Sequence, residues 1–169
     1  VLFDEKIRSF VPPKSTPSHL NTLLNILDAP KPGNDTKIES VLHQMAERIN
    51  KRGLVIIISD LLDEPKNILK GLKHFRHKKQ EVILFHILDR NELEFEFENR
   101  TKFVDMESGE EITTDPWHIK NDYKNLILDI QKYYSGNCRL NKIDYVPLYT
   151  DDSLDKGLSE YFNKRQRLG

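Results

Sequence analysis

The sequence predicts an α/β fold, a doubly wound and mostly parallel sheet with helices on both faces, and three observations carry that prediction. The run Leu54–Ser59 is free of charge and largely β-branched, which reads as a strand buried on both faces and central in its sheet. A second apolar run, Val82–Leu88, behaves in the same way, and each run ends in an aspartate, Asp60 and Asp89. Around them lie segments with apolar residues at helical spacing, and strands alternating with helices build a parallel sheet. In such sheets ligands bind outside the carboxyl ends of the strands, which is where Asp60 lies.

The first elements follow from local chemistry. Val1–Asp4 and Ile7–Val11 read as a hairpin joined at Glu5–Lys6. Pro12, Pro13 and Pro17 stop the strand, and Ser18 is placed to cap a helix carrying Leu20, Leu23, Leu24 and Leu27. Pro30, Pro32 and Gly33 make a loop. Thr36 opens a helix with the stripe Ile38, Val41, Leu42, Met45 and Ile49, and Gly53 marks its end. Beyond Asp60 a helix from about Glu64 to Phe75 turns Ile68, Leu69, Leu72 and Phe75 inward.

After Asp89, Leu93, Phe95 and Phe97 alternate with Glu92, Glu94, Glu96 and Glu98, the period of a strand with one wet face. Lys102–Met106 is expected to pair with it across the turn Asn99–Arg100, and Ser108–Gly109 turns the chain again. Asp115 and Pro116 start a long helix with Ile119, Tyr123, Leu126, Ile130 and Tyr133 on one side. Ile143–Tyr149 is the last strand. Thr150 caps a final helix bearing Leu154, Leu158 and Phe162, followed by a polar tail.

Bulk composition narrows the function. The 169 residues suit one domain, 1–169, with no repeat or linker. A formal net charge of -1 gives no overall field toward nucleic acid or anionic lipid. The single cysteine, Cys138, excludes an internal disulfide and reads as a packed thiol. No apolar stretch approaches the ~20 residues that cross a bilayer. With no signal peptide, the expected location is cytoplasmic. The chain opens on Val1–Leu2–Phe3 inside a strand, which reads as a fragment.

Three constellations carry chemistry. Thr36 and Asp60 supply a hydroxyl and a strand-end carboxylate, oxygen ligands of the kind a hard divalent cation takes. Thr36–Lys37–Ile38–Glu39 equally fits a capping box. Asp60, Asp63 and Asp89 are the carboxylates that a Mg²⁺-dependent phosphohydrolase or nuclease would use, yet no P-loop, glycine-rich turn or evident base accompanies them, so the chain is not expected to be an enzyme. The basic run Lys73–Lys79 complements a helix C-terminus, and His74 with His77 lacks a third ligand nearby for zinc.

An ordered set of residues then resembles one family. It comprises Val1–Ile7, Pro12–Pro13, His19–Leu20, Gly33-x-x-Thr36, Arg52–Val55, Ile58–Asp60, Glu81–Val82, His86–Asp89, Glu92, Phe103, Asp105, Glu107–Gly109, Tyr123 and Thr150–Asp151. Together these are similar to the C-terminal part of a bacterial family, the domain of unknown function fifty-eight. The resemblance implies a von Willebrand factor A-like domain, here partial, and an association with MoxR-type AAA+ ATPases. It implies a metal-ion-dependent adhesion site that takes a D-x-S-x-S motif from a first strand, a threonine matched by Thr36 and an aspartate matched by Asp60. No D-x-S-x-S occurs in the 169 residues, so Mg²⁺ is implied for the complete site and no cofactor is expected here. The implied role is protein binding, the partner being the ATPase or its substrate; no nucleic acid is expected from the net charge, and no membrane within these 169 residues. In that fold the missing strand lies between the strand beginning at Val1 and Leu54–Ser59. An edge left bare there is expected to lead to self-association.

Overall fold

Six consecutive uncharged residues without glycine or proline favour extended backbone, and Leu54–Ser59 forms strand β3. It runs parallel to β4 (Glu81–Leu88), which is parallel in turn to β7 (Asp144–Tyr149), in the order β3-β4-β7. The computed structural model describes residues 1–4, 6–28, 38–94, 101–104, 111–114 and 116–153, and in the last segment 155, 158–159, 161–163 and 166. Thr36, Asp115, the turns 99–100 and 108–109, and the side chain of Trp117 lie outside them.

One face of the sheet, carrying Val55, Ile57, Val82, Leu84 and Tyr145, packs against three helices. These are α2 (Ile38–Arg48), α3 (Pro65–His77) and α5 (Pro116–Leu140). The expected stripes of α2 and α3 are buried, Ile38, Val41, Leu42 and Met45 on one, Ile68, Leu69, Leu72 and Phe75 on the other. Where these helices meet, Gly71 is necessary: a Cβ there would lie 2.7 Å from Leu42 Cβ. The other face buries Ile83, Phe85 and Leu148 under Leu158 and Tyr161 of the C-terminal segment. The α/β class with a parallel sheet between helices is therefore observed.

The centre of the sheet is β4 rather than β3. Val82 to His86 are all buried, whereas in β3 only Ile57 is, and Leu54, Ile56 and Ile58 are 48%, 47% and 64% exposed. Among the described residues β3 is paired on one side only. Its composition reports a strand built for cover on both faces, and within these residues one face lacks it. At the opposite edge β7 carries Pro147, which cannot donate to a ladder and belongs on an edge.

Several local expectations are corrected. The hairpin β1 (Leu2–Phe3) and β2 (Ile7–Ser9) forms, but helix α1 (Pro17–Asp28) starts before Ser18, and Leu20, Leu24 and Leu27 are exposed. Helix α2 ends at Arg48, short of Gly53. Gly53 instead donates its N–H to Gln80 Oε1 at 2.7 Å, while Gln80 Nε2 donates to Lys51 O at 2.9 Å, so one buried amide ties the starts of β3 and β4. Leu93 is helical, in α4 (Arg90–Glu94), its N–H reaching Asp89 O at 3.2 Å as in a helical turn.

Strand β5 (Thr101–Val104) pairs antiparallel with β6 (Glu111–Thr114), and residues 95–98 of the strand expected beside it lie outside the described residues. On α5 Ile130 and Tyr133 of the expected stripe pack against the core, its fully buried residues are Tyr134 and Cys138, and Leu126 of the stripe is exposed. Ile130, Tyr134 and Cys138 are spaced i, i+4, i+8, and two adjacent tyrosines look alike to a periodicity argument. Burial pushes the Cys138 thiol up to about 12, the mark of a packed thiol. No helix among the described residues is long and apolar enough to cross a membrane.

Candidate functional site

At the carboxyl end of β3 the chain reverses within one turn. Leu61 has φ 59, left-handed backbone that a leucine adopts at a cost of about 1–2 kcal/mol. The conformation buries Leu61 and leaves Asp60 and Leu62 exposed on either side of it. Short polar side chains hold the turn. Ser59 Oγ accepts from Leu61 N–H at 3.0 Å, Asp63 N–H donates to Leu61 O at 2.8 Å, and Asp60 Oδ1 accepts from Leu62 N–H at 3.4 Å.

Asp63 is part of the scaffold. Its Oδ2 accepts the N–H of Ile38, the first residue of α2, at 3.0 Å, and its Oδ1 accepts Glu64 N–H at 2.6 Å. One carboxylate thus satisfies free donors at the starts of α2 and α3, where the helix dipoles favour negative charge. The sequence reading placed a cap on α2 at Thr36, and this longer-range cap across 25 residues of chain was missed.

His86 was missed as well, although a histidine inside the apolar run Val82–Leu88 is itself a signal. It is buried on β4, and its Nε2–H donates to the Asp60 carbonyl at 3.1 Å. Since a carbonyl only accepts, Nδ1 is left bare to accept the Tyr145 hydroxyl at 2.8 Å. Burial pushes the imidazole below its usual range, against the opposing effects of Asp60. A neutral histidine therefore braces the backbone that presents Asp60.

The remaining strand-end carboxylates are engaged elsewhere. Asp89 Oδ2 accepts the Thr150 hydroxyl at 3.1 Å, which joins the ends of β4 and β7, so that hydroxyl points to Asp89 rather than into a helix cap. Arg90 reaches Asp151 at 2.5 Å and Asp152 at 2.8 Å and lies over the Tyr149 ring at 5.0 Å. Its hydrogen bond to Asp151 in particular holds it further in the charged form. Asp60, Asp63 and Asp89 thus face three different partners. Ser59 pairs with His86, and regular continuation of that register puts Asp89 two residues, ~6.6 Å, beyond the level of Asp60.

Metal-site chemistry needs more than is gathered here. Mg²⁺ takes about six oxygens at ~2.0–2.1 Å. The described donors near Asp60 are its own carboxylate and a Ser59 hydroxyl that already accepts an N–H, and Thr36 lies outside the described residues. The residues described do not form a magnesium site by themselves.

A family model described as protein of unknown function DUF58 matches residues 1–132, from the first hairpin into α5. No curated protein and no solved structure matches the chain. The matched span includes the Asp60 turn, the Asp63 cap and His86, and since it covers more than half of the sequence, the chain belongs to the DUF58 family of proteins of unknown function.

Proposed function

We propose that the chain is a protein-binding and scaffolding module whose partner surface is the turn around Asp60. One observation carries this reading. Among the described residues, Asp63, Asp89, Asp151 and Asp152 each bond to another element, whereas the hydrogen bonds of the Asp60 carboxylate lie within its own turn and Asp60 is exposed. A left-handed leucine and a buried histidine hold that carboxylate outward, and strain kept in a turn is a common attribute of functional sites.

By the family resemblance, the partner is a MoxR-type AAA+ ATPase or its substrate, and the fold is von Willebrand factor A-like. In the complete fold Asp60 and Thr36 would be two ligands of a metal-ion-dependent adhesion site whose D-x-S-x-S loop the 169 residues lack. Capture of a purified MoxR-type ATPase on immobilised chain tests the proposal, with and without Mg²⁺. Asp60→Ala is expected to weaken capture at least tenfold while leaving the thermal unfolding temperature unchanged. Equal capture by the variant and the wild type overturns the reading.

A further inference from the structure

Helices α2 and α3 meet along a polar seam with a regular repeat. Glu39, His43 and Glu47 stand four residues apart on α2, and Lys70 and His74 on α3 are followed at the same spacing by Lys78, the residue that caps its C-terminus, so each set shares one face. The two rows match rung by rung. Lys70 Nζ lies 3.7 Å from Glu39, the Nδ1 atoms of His43 and His74 are 2.8 Å apart, and Lys78 Nζ lies 2.9 Å from Glu47. Two further contacts complete the seam: His74 Nε2 to Glu47 Oε1 at 2.8 Å, diagonally across it, and His43 Nε2 to Glu39 Oε1 at 3.8 Å, along α2.

The proton positions follow from the acceptors. A carboxylate only accepts, so His74 Nε2 carries hydrogen and, in the neutral ring, its Nδ1 is bare. His43 Nδ1 then donates to it. His43 Nε2 is bare in turn and faces Glu39 at a distance too long for a hydrogen bond but suited to an ion pair. One added proton fits there, opposite a carboxylate. A second has only His74 Nδ1 to occupy, where it meets the His43 Nδ1–H head on at 2.8 Å with no acceptor between them. Lys70 and Lys78 flank the pair and oppose that charge, while Glu39 and Glu47 favour it. Lys73, Arg76 and His77 are the other titratable groups on this stretch of α3, and Arg76 is turned to the carbonyls of Gln80 and Asn141. Donors strung along a line in this way are no metal cage, and among the described residues no three His, Cys, Asp or Glu side chains converge.

We infer that the His43–His74 pair is a pH-sensitive clasp between α2 and α3, closed while the pair carries at most one added proton and forced open by the second. In the unfolded chain both rings take a proton near pH ~6.5. Below that pH the unfolded state binds more protons than the closed clasp, so the folded state loses ground as pH falls. For one proton the folding equilibrium shifts by up to about 30-fold at pH 5.

Two measurements on the 169-residue chain test this. Side-chain ¹⁵N spectra recorded through a pH titration are expected to show His74 Nδ1 bare for as long as the contacts between α2 and α3 persist. Urea unfolding from pH 7.5 to pH 5 is expected to show a loss of stability that is at least tenfold smaller, as an equilibrium ratio, in His43→Gln, whose amide keeps a donor toward His74. The clasp is overturned if His74 Nδ1 carries a proton while the contacts between α2 and α3 persist, or if wild type and His43→Gln lose stability in parallel.

Discussion

Asp63→Ala separates the roles of two neighbouring carboxylates that the sequence presents as equivalents. The substitution removes the acceptor for two N–H groups, those of Ile38 and Glu64. Ile38 is 1% exposed, so water is poorly placed to replace the lost bond, and an orphaned buried donor costs about 1–3 kcal/mol. Glu64 is exposed and its N–H is re-solvated at little cost. Loss of a negative charge at two helix starts adds about 0.3–1 kcal/mol for each helix. The expected destabilisation is about 2–4 kcal/mol. Urea unfolding followed by circular dichroism measures it, with the denaturant slope unchanged. Asp63→Asn keeps one acceptor without the charge and is expected to fall between. Asp60→Ala, at an exposed side chain bonded within its own turn, is expected to stay within about 0.5 kcal/mol of wild type. The reasoning fails if Asp63→Ala costs less than about 0.5 kcal/mol, or if Asp60→Ala costs as much as Asp63→Ala.

Other outcomes follow from packing. Gly71→Ala gains about 1 kcal/mol of helix propensity, but its Cβ at 2.7 Å from Leu42 forces α2 and α3 apart, which costs about 1–3 kcal/mol; a net loss in chemical unfolding is expected, and a gain refutes the close approach. The Tyr134 hydroxyl is buried without a hydrogen-bond partner among the described residues, so Tyr134→Phe is expected to raise stability by up to about 1–2 kcal/mol, and a loss above 1 kcal/mol refutes the assignment. The exposed apolar face and one-sided pairing of β3 predict concentration-dependent self-association in light scattering, suppressed by Ile56→Lys; a monodisperse wild-type monomer counts against it.

Much of this chain is legible before folding. Where an element makes its own bonds or displays one clear period, the residues predict it: the stripes of α2 and α3, the run of β4, Pro116 opening α5 and the packed thiol of Cys138 all stand where sequence puts them. Asp60 at the end of β3 is legible for the same reason, because a charge closing an apolar run marks the strand's carboxyl end. Residues 92–94 show the limit of that logic, since an alternating pattern makes a strand only where a partner strand accepts it.

Tertiary structure decides the rest. It makes β4 rather than β3 the central strand, since burial depends on what covers a residue and not on its own polarity. It also assigns the polar side chains. Asp60 and Asp63 look alike in sequence, and only the arrival of Ile38 beside one of them makes it a cap, while the other stays exposed in its turn. His86 beneath Asp60 and His43 against His74 are likewise products of separation along the chain. Hydrogen bonds reach about 3 Å, and which groups come that close across 26 or 31 residues is set by how strands and helices pack, information that local pattern does not contain.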